Sequence, residues 1–146
     1  MGASALMRVI LDTNVLLAAL IAPHGPPDAI YRAWRAARFQ LLTSTAQLDE
    51  LRRASRYPKL RPLLPAHRVS AMVNNMQGAI VIDELPPLPR DIEVADPNDA
   101  FLVALAIAGD ADFLVTGNWR SGLLQRGTLG RTRVMSPAAF CAHLID

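Results

Sequence analysis

Asp12, Glu50 and Asp99 are the acids whose surroundings set them apart from the chain's other carboxylates. Asp12 ends the apolar run Val9, Ile10, Leu11, which reads as a buried strand because it is short and rich in β-branched residues. A charge at the carboxyl end of such a strand lies where open α/β sheets present their ligand sites. It is also placed to cap a helix, although Thr13 and Asn14 stand ready for that role. Glu50 falls in the second turn of a helix opened by Ser44, which has the spacing of a capping box with Gln47, and it shares a face with Ala46 and Ala54. Its neighbour Asp49 lies instead with Thr45, Arg52 and Arg53, so Glu50 is the inward-facing acid of the two. Asp99 follows Asp96 and Pro97 in the first turn of another helix, where a capping box or the helix dipole would also explain it. The residues after it, FLVALAIA, are apolar on every side, which buries the helix and turns the acid toward an enclosed site.

Three carboxylates without a basic partner repel one another and bind protons. A divalent cation held by oxygen ligands removes the conflict, and this donor set suits Mg2+ or Mn2+. The chemistry it supports is hydrolysis of a phosphodiester. Zinc is disfavoured, since His24, His67 and His143 are scattered and Cys141 is the single cysteine.

These acids share a site only if distant segments are brought to one edge. Strands are predicted at 9–11, 39–42, 79–82 and 112–115, with a weaker one at 132–135. Helices are predicted at 15–20, 28–38, from Ser44, 66–77, 96–109, 119–125 and from Pro137. Such alternation implies an α/β fold with parallel strands joined by right-handed crossovers. In a parallel sheet every strand ends on the same rim, and the helices that follow begin there. Residues 84–97 carry four prolines and no period, so they read as a connecting loop.

A chain of 146 residues, 51% apolar and 19% charged, reads as one folded domain rather than a disordered segment. Residues 1–6 read as a leader preceding the first strand. The N-terminal apolar stretch is interrupted by Asp12 and Asn14, which argues against a signal peptide, and no run approaches the ~20 residues of a membrane span. A single cysteine suits a reducing cytoplasm. Lys59 is the one lysine among 15 basic residues, the rest being arginine, a side chain suited to bidentate phosphate contacts. Arg52, Arg53, Arg56, Lys59 and Arg61 directly follow Glu50, with Tyr57 among them for base stacking, and Arg120 lies near the rim beside Trp119. Nucleic-acid contact and an ordinary solvated helix face account for this run equally well.

Four features occur in order: a hydrophobic strand followed by DTN, an acid in the helix after the second strand, DPND before an Ala-rich helix, and ADFLVTGN. In that combination the chain resembles PIN-domain ribonucleases, and among them the toxins of bacterial toxin–antitoxin pairs. The resemblance implies a three-layer α/β/α sandwich around a parallel sheet of four to five strands. It also implies a Mg2+- or Mn2+-dependent endoribonuclease, a cognate antitoxin and a homodimer. Asp12, Glu50 and Asp99 match the family's first three acids, and Thr116 matches its hydroxyl beside the site, with Asn14 and Ser44 in supporting places. At the fourth acidic position the sequence has Asn118, whose neutral oxygen is a weaker metal ligand, and Asp96 in DPND can compensate in part. Asn118 motivates a rival reading, a degenerate PIN domain that binds RNA or an antitoxin without cleaving. A phosphatase of the haloacid dehalogenase type needs a second Asp two residues after the nucleophile, and Asn14 stands there.

Overall fold

The computed structural model describes residues 6–92, 94, 97–118 and 122–145. Six strands form one sheet: β1 (Arg8–Leu11), β2 (Gln40–Thr43), β3 (Ile80–Val81), β4 (Phe113–Val115), β5 (Thr128–Leu129) and β6 (Thr132–Met135). Their order is β3-β2-β1-β4-β6-β5, and every pair is parallel except β5 with β6. The helices are α1 (Thr13–Ile21), α2 (Pro26–Arg35), α3 (Thr45–Ala54), α4 (Ala66–Met76), α5 (Pro97–Ala108), α6 (Leu123–Arg126) and α7 (Pro137–Ile145).

The central strands are apolar throughout because both faces of the sheet are covered. Val9, Leu11, Leu41, Phe113 and Val115 point to one face, where they join buried residues of α1, α2, α3, α4 and α7. Ile10, Leu42, Leu114 and Val134 point to the other, against Leu102, Val103 and Leu105 of α5 and Leu123 of α6. The two-residue period of a strand thus sorts a continuous apolar run into two cores. This is the expected three-layer α/β/α arrangement, with a mostly parallel sheet.

Several details depart from the sequence reading. The sheet has six strands rather than four to five, because residues 128–129 turn back through Gly130 (φ 59°) and pair antiparallel with β6. Two residues are too few to show a period. The third strand shrinks from 79–82 to a two-residue pairing with Leu42 and Thr43. Helix α2 starts at Pro26 because both prolines fit its first turn, where no N–H is required. Helix α6 begins only at Leu123; Trp119, with which the predicted helix began, lies outside the described residues.

The proline-rich connection is more than a tether, since Leu85, Leu88, Ile92 and Val94 pack onto the α5 side of the sheet. At its start, Asp83 accepts hydrogen bonds from the Thr45 backbone N–H (2.7 Å) and hydroxyl (2.9 Å). These bonds hold its carboxyl below its ordinary pKa of 3.8 and tie the end of β3 to the first turn of α3.

Candidate active site

Parallel pairing carries the ends of β1, β2 and β4 to one rim. Beyond the strands proper, the Asp12 N–H donates to the Val115 carbonyl (2.9 Å) and the Thr116 N–H to that of Met135 (3.0 Å). The backbone at the rim is therefore pinned across three strands.

Asp12 is 6% exposed and is the N-cap of α1, accepting from the Asn14 N–H at 3.3 Å. The expectation that Thr13 or Asn14 would cap this helix is corrected: the helix begins at Thr13, so the cap falls on Asp12 itself. The other carboxylate oxygen accepts from the Thr116 hydroxyl at 2.7 Å. That hydroxyl oxygen accepts in turn from the Asn118 N–H at 3.1 Å, which directs the hydroxyl proton toward the carboxylate. Asp12 thus has a defined orientation within the rim.

Glu50 is half-buried, and its helix is anchored one turn earlier. Gln47 is fully buried: its amide donates to the Leu11 carbonyl (2.6 Å) and its oxygen accepts from the Thr43 hydroxyl (2.6 Å). Its backbone N–H donates to the Ser44 hydroxyl (3.2 Å), completing half of the capping box implied by the Ser44–Gln47 spacing. The side chain that would close the other half reaches across to β1 instead. Gln47 therefore locks α3 onto the residue preceding Asp12. The inward facing of Glu50 holds, while Asp49 is exposed and paired with Arg52 at 3.1 Å. The neighbours differ from expectation, because Ala46 is exposed and the buried residues beside Glu50 are Gln47, Leu51 and Ala54.

Asp99, 4% exposed, sits in the first turn of α5 ahead of the buried Leu102 and Val103. Asp12, Glu50, Asp99, Asn14 and Asn118 line a single cleft of about 210 Å3, together with Arg53, Ala54 and Tyr57. Arg53 alters the electrostatic expectation, since the acids have a basic group along their own wall. Ser44 and Thr116 are buried behind the rim and act through backbone and Asp12 respectively. Arg52 and Arg56 line a separate groove on the other flank of α3, and Lys59 is exposed and lines neither. Asp96 and Arg120 lie outside the described residues.

The donor set of two buried aspartates, one glutamate and an amide oxygen suits a hard divalent cation. Among the described residues no three acids or other ligands are gathered into one coordinating cluster. Mg2+ commonly keeps several waters and takes only one or two carboxylates, so the residues present fit such an ion without full convergence.

Replacing Thr116 with valine removes the hydroxyl bond to the buried Asp12 carboxylate. The variant is expected to lose about 1–3 kcal/mol of stability. If the cleft is catalytic, cleavage falls about 10–100-fold as well, as for partners that orient metal ligands. Urea unfolding and single-turnover assays would measure both.

The family model described as the PIN domain matches residues 8–120, from the first residue of β1 to just past Asn118. The chain belongs to the PIN-domain family. The matched span contains every residue of the cleft. PIN domains are generally nucleases. Among curated proteins nothing matches. Among solved structures, this PIN domain is similar to a chain in the crystal structure of VapBC2 from Rickettsia felis bound to a DNA fragment from their promoter. The two share 21% identity with a TM-score of 0.57, over 89% of this chain and 98% of that one. At that identity the likeness is one of fold.

Proposed function

We propose that this PIN domain is a metal-dependent endoribonuclease that hydrolyses RNA phosphodiester bonds as the toxin of a toxin–antitoxin pair. The observation that carries the reading is the cleft: acids from three distant segments line it, and one of them is held in place by Thr116. Asp12, Glu50 and Asp99 would hold Mg2+ or Mn2+, with Asn118 and Asp96 as further oxygen donors. When bound, such an ion supplies water activation and stabilises charge on the phosphate. Thr116 and the N-cap bond keep the Asp12 carboxylate in one orientation, and Gln47 keeps α3 against β1. Arg53 can take a phosphate oxygen at the cleft wall, and Tyr57, 56% exposed, offers a ring for stacking a base. A cognate antitoxin, a homodimeric assembly and a cytoplasmic setting belong to the same proposal; the VapBC2 likeness supports the antitoxin. None of the helices is long and apolar enough to cross a membrane, among the described residues.

The test is cleavage of RNA across a Mn2+ titration by the wild type and Asp12→Asn. Equal cleavage by the two proteins, or none by the wild type at any concentration, would sink the reading. A second reading, a PIN domain that binds without cleaving, is favoured by one residue, the neutral Asn118 on the cleft wall. Asn118→Asp separates the two. A working site changes by less than about threefold, whereas a degenerate one gains on the order of 100-fold from the restored ligand charge.

A further inference from the structure

The basic run after Glu50 does not lie along a single surface. The last turn of α3 and the turn that follows it send Arg53 and Tyr57 to the acid cleft and Arg52 and Arg56 to a separate groove. That groove, about 570 Å3, is closed by Arg61 and by the facing side of α4. Its size is that of a site for a small organic molecule or a nucleotide.

Its chemistry is layered. Leu64, Val69 and Val73, all buried, form an apolar floor. Asn74 of α4 and Gln77, its C-cap, stand on the wall with amides that can both donate and accept. Arg56 and Arg61 supply guanidinium groups at the opposite side, while Arg52 is already engaged with Asp49. Among the described residues no carboxylate lines the groove. An apolar surface, amides able to pair with the edge of a heterocycle, and arginines suited to phosphate oxygens match one class of ligand, a nucleotide.

We infer that the groove between α3 and α4 is a second subsite for the single-stranded RNA whose cleavage is proposed above. It would hold one base on its floor, with the flanking phosphates on Arg56 and Arg61. The inference rests on the ribonuclease reading for the identity of the strand. An acidic peptide would also satisfy the arginines, yet continuity favours one long polyanion. Arg53 in the last turn of α3 and Arg56 in the turn just after it serve the two sites from positions three residues apart, and a helix is only about 10 Å across, a distance that an extended strand crosses within a few nucleotides. Tyr57 and Arg53 lie on the cleft side of that crossing.

The test uses fluorescence anisotropy on the full chain carrying Asp12→Asn, which is proposed to bind without cutting. The probes are a twelve-nucleotide single-stranded RNA and a trinucleotide, across a series of salt concentrations. Arg56→Gln with Arg61→Gln is expected to weaken the longer strand about tenfold or more and the trinucleotide much less. The salt dependence of its binding should flatten by about 1.4 in logarithmic slope, two phosphate contacts at about 0.7 each for single strands. Ser70→Glu places a carboxylate on the groove wall from an exposed position of α4 and should have the same direction of effect. Affinity and salt slope unchanged in both variants would overturn the inference, as would a wild-type chain that binds no RNA. A decaglutamate peptide that binds the groove and is lost in the arginine variant, with RNA binding intact, would overturn it in favour of a protein partner. The two readings fail separately. Wild type that cleaves while the variants bind normally removes the groove alone, and wild type that never cleaves while the variants lose RNA removes the nuclease alone.

Discussion

Asp12→Asn is expected to abolish metal-dependent RNA cleavage and to leave the fold intact. The substitution is close to isosteric, and it separates the two roles that Asp12 combines. Asparagine caps helices as well as aspartate does, so the bond from the Asn14 N–H at the start of α1 is retained. The amide NH2 then takes the place of the oxygen facing Thr116, whose hydroxyl rotates to accept from it, so that bond reverses direction rather than disappearing. What disappears is a negative charge in a position 6% exposed, and removing an enclosed charge from a group of acids does not destabilise through repulsion. Thermal stability without added metal should therefore be unchanged or slightly raised. With Mn2+ at a hundredfold excess over its Kd, the wild type should gain about 2.7 kcal/mol from binding and the variant much less. The cleavage rate should fall on the order of 1,000-fold or more, as expected when preorganised charge stabilisation at a reacting phosphate is lost. Calorimetric Mn2+ titration and a thermal melt with and without metal test binding independently of activity. A variant that keeps both the Mn2+ stabilisation and the cleavage would remove Asp12 from the site.

The second large effect is expected at a residue with no proposed contact to RNA. Gln47→Leu keeps the volume of the side chain but takes the amide donor from the Leu11 carbonyl and leaves the Thr43 hydroxyl with only a long 3.5 Å bond to the Ser44 carbonyl, both within the buried rim. Unsatisfied buried groups of this kind cost about 1–3 kcal/mol each, so the variant should lose about 2–4 kcal/mol in urea unfolding. It also releases α3 from β1 one turn before Glu50. A shift of about 1 Å in a catalytic group is enough to lower a rate on the order of 100-fold. Thr43→Val is the control, since it removes the bond to the Gln47 oxygen and leaves the bond to Leu11 in place. It should lose stability yet keep most of its cleavage. If Gln47→Leu cleaves at the wild-type rate once corrected for its folded fraction, Gln47 is a packing residue and does not position Glu50.

The interplay of Asp12 and Gln47 shows what could be read from residues in a row. The α/β class was legible because strands buried on both faces are apolar without interruption, and Val9 to Leu11, Leu41 to Leu42 and Phe113 to Val115 all have that character. Parallel pairing then followed from the helices between them, and parallel pairing is what delivers Asp12, Glu50 and Asp99 to one rim. The family motifs are local strings, so they too were legible, and the match over residues 8–120 agrees with them.

Other features depend on contacts between segments far apart in sequence. Gln47 looked like part of a helix cap because its spacing from Ser44 is a local signal, whereas its bond to Leu11 spans 36 positions. The choice of Glu50 over Asp49 was available from helical periodicity, but which residues flank it depended on how α3 lies against the sheet. The division of one basic run between two clefts has the same origin. Arg52, Arg53 and Arg56 are close neighbours in the sequence, and only the packing of α3 and of the turn that follows it, between the rim and α4, decides which side each one serves. The sequence by itself determined the alternation of elements, the buried strands and the acids at their ends, because each is set by short-range pattern. The tertiary structure alone decided which of those acids share a cleft, what holds them there and where the arginines are sent, because those outcomes follow from packing between elements rather than from the order of residues within them.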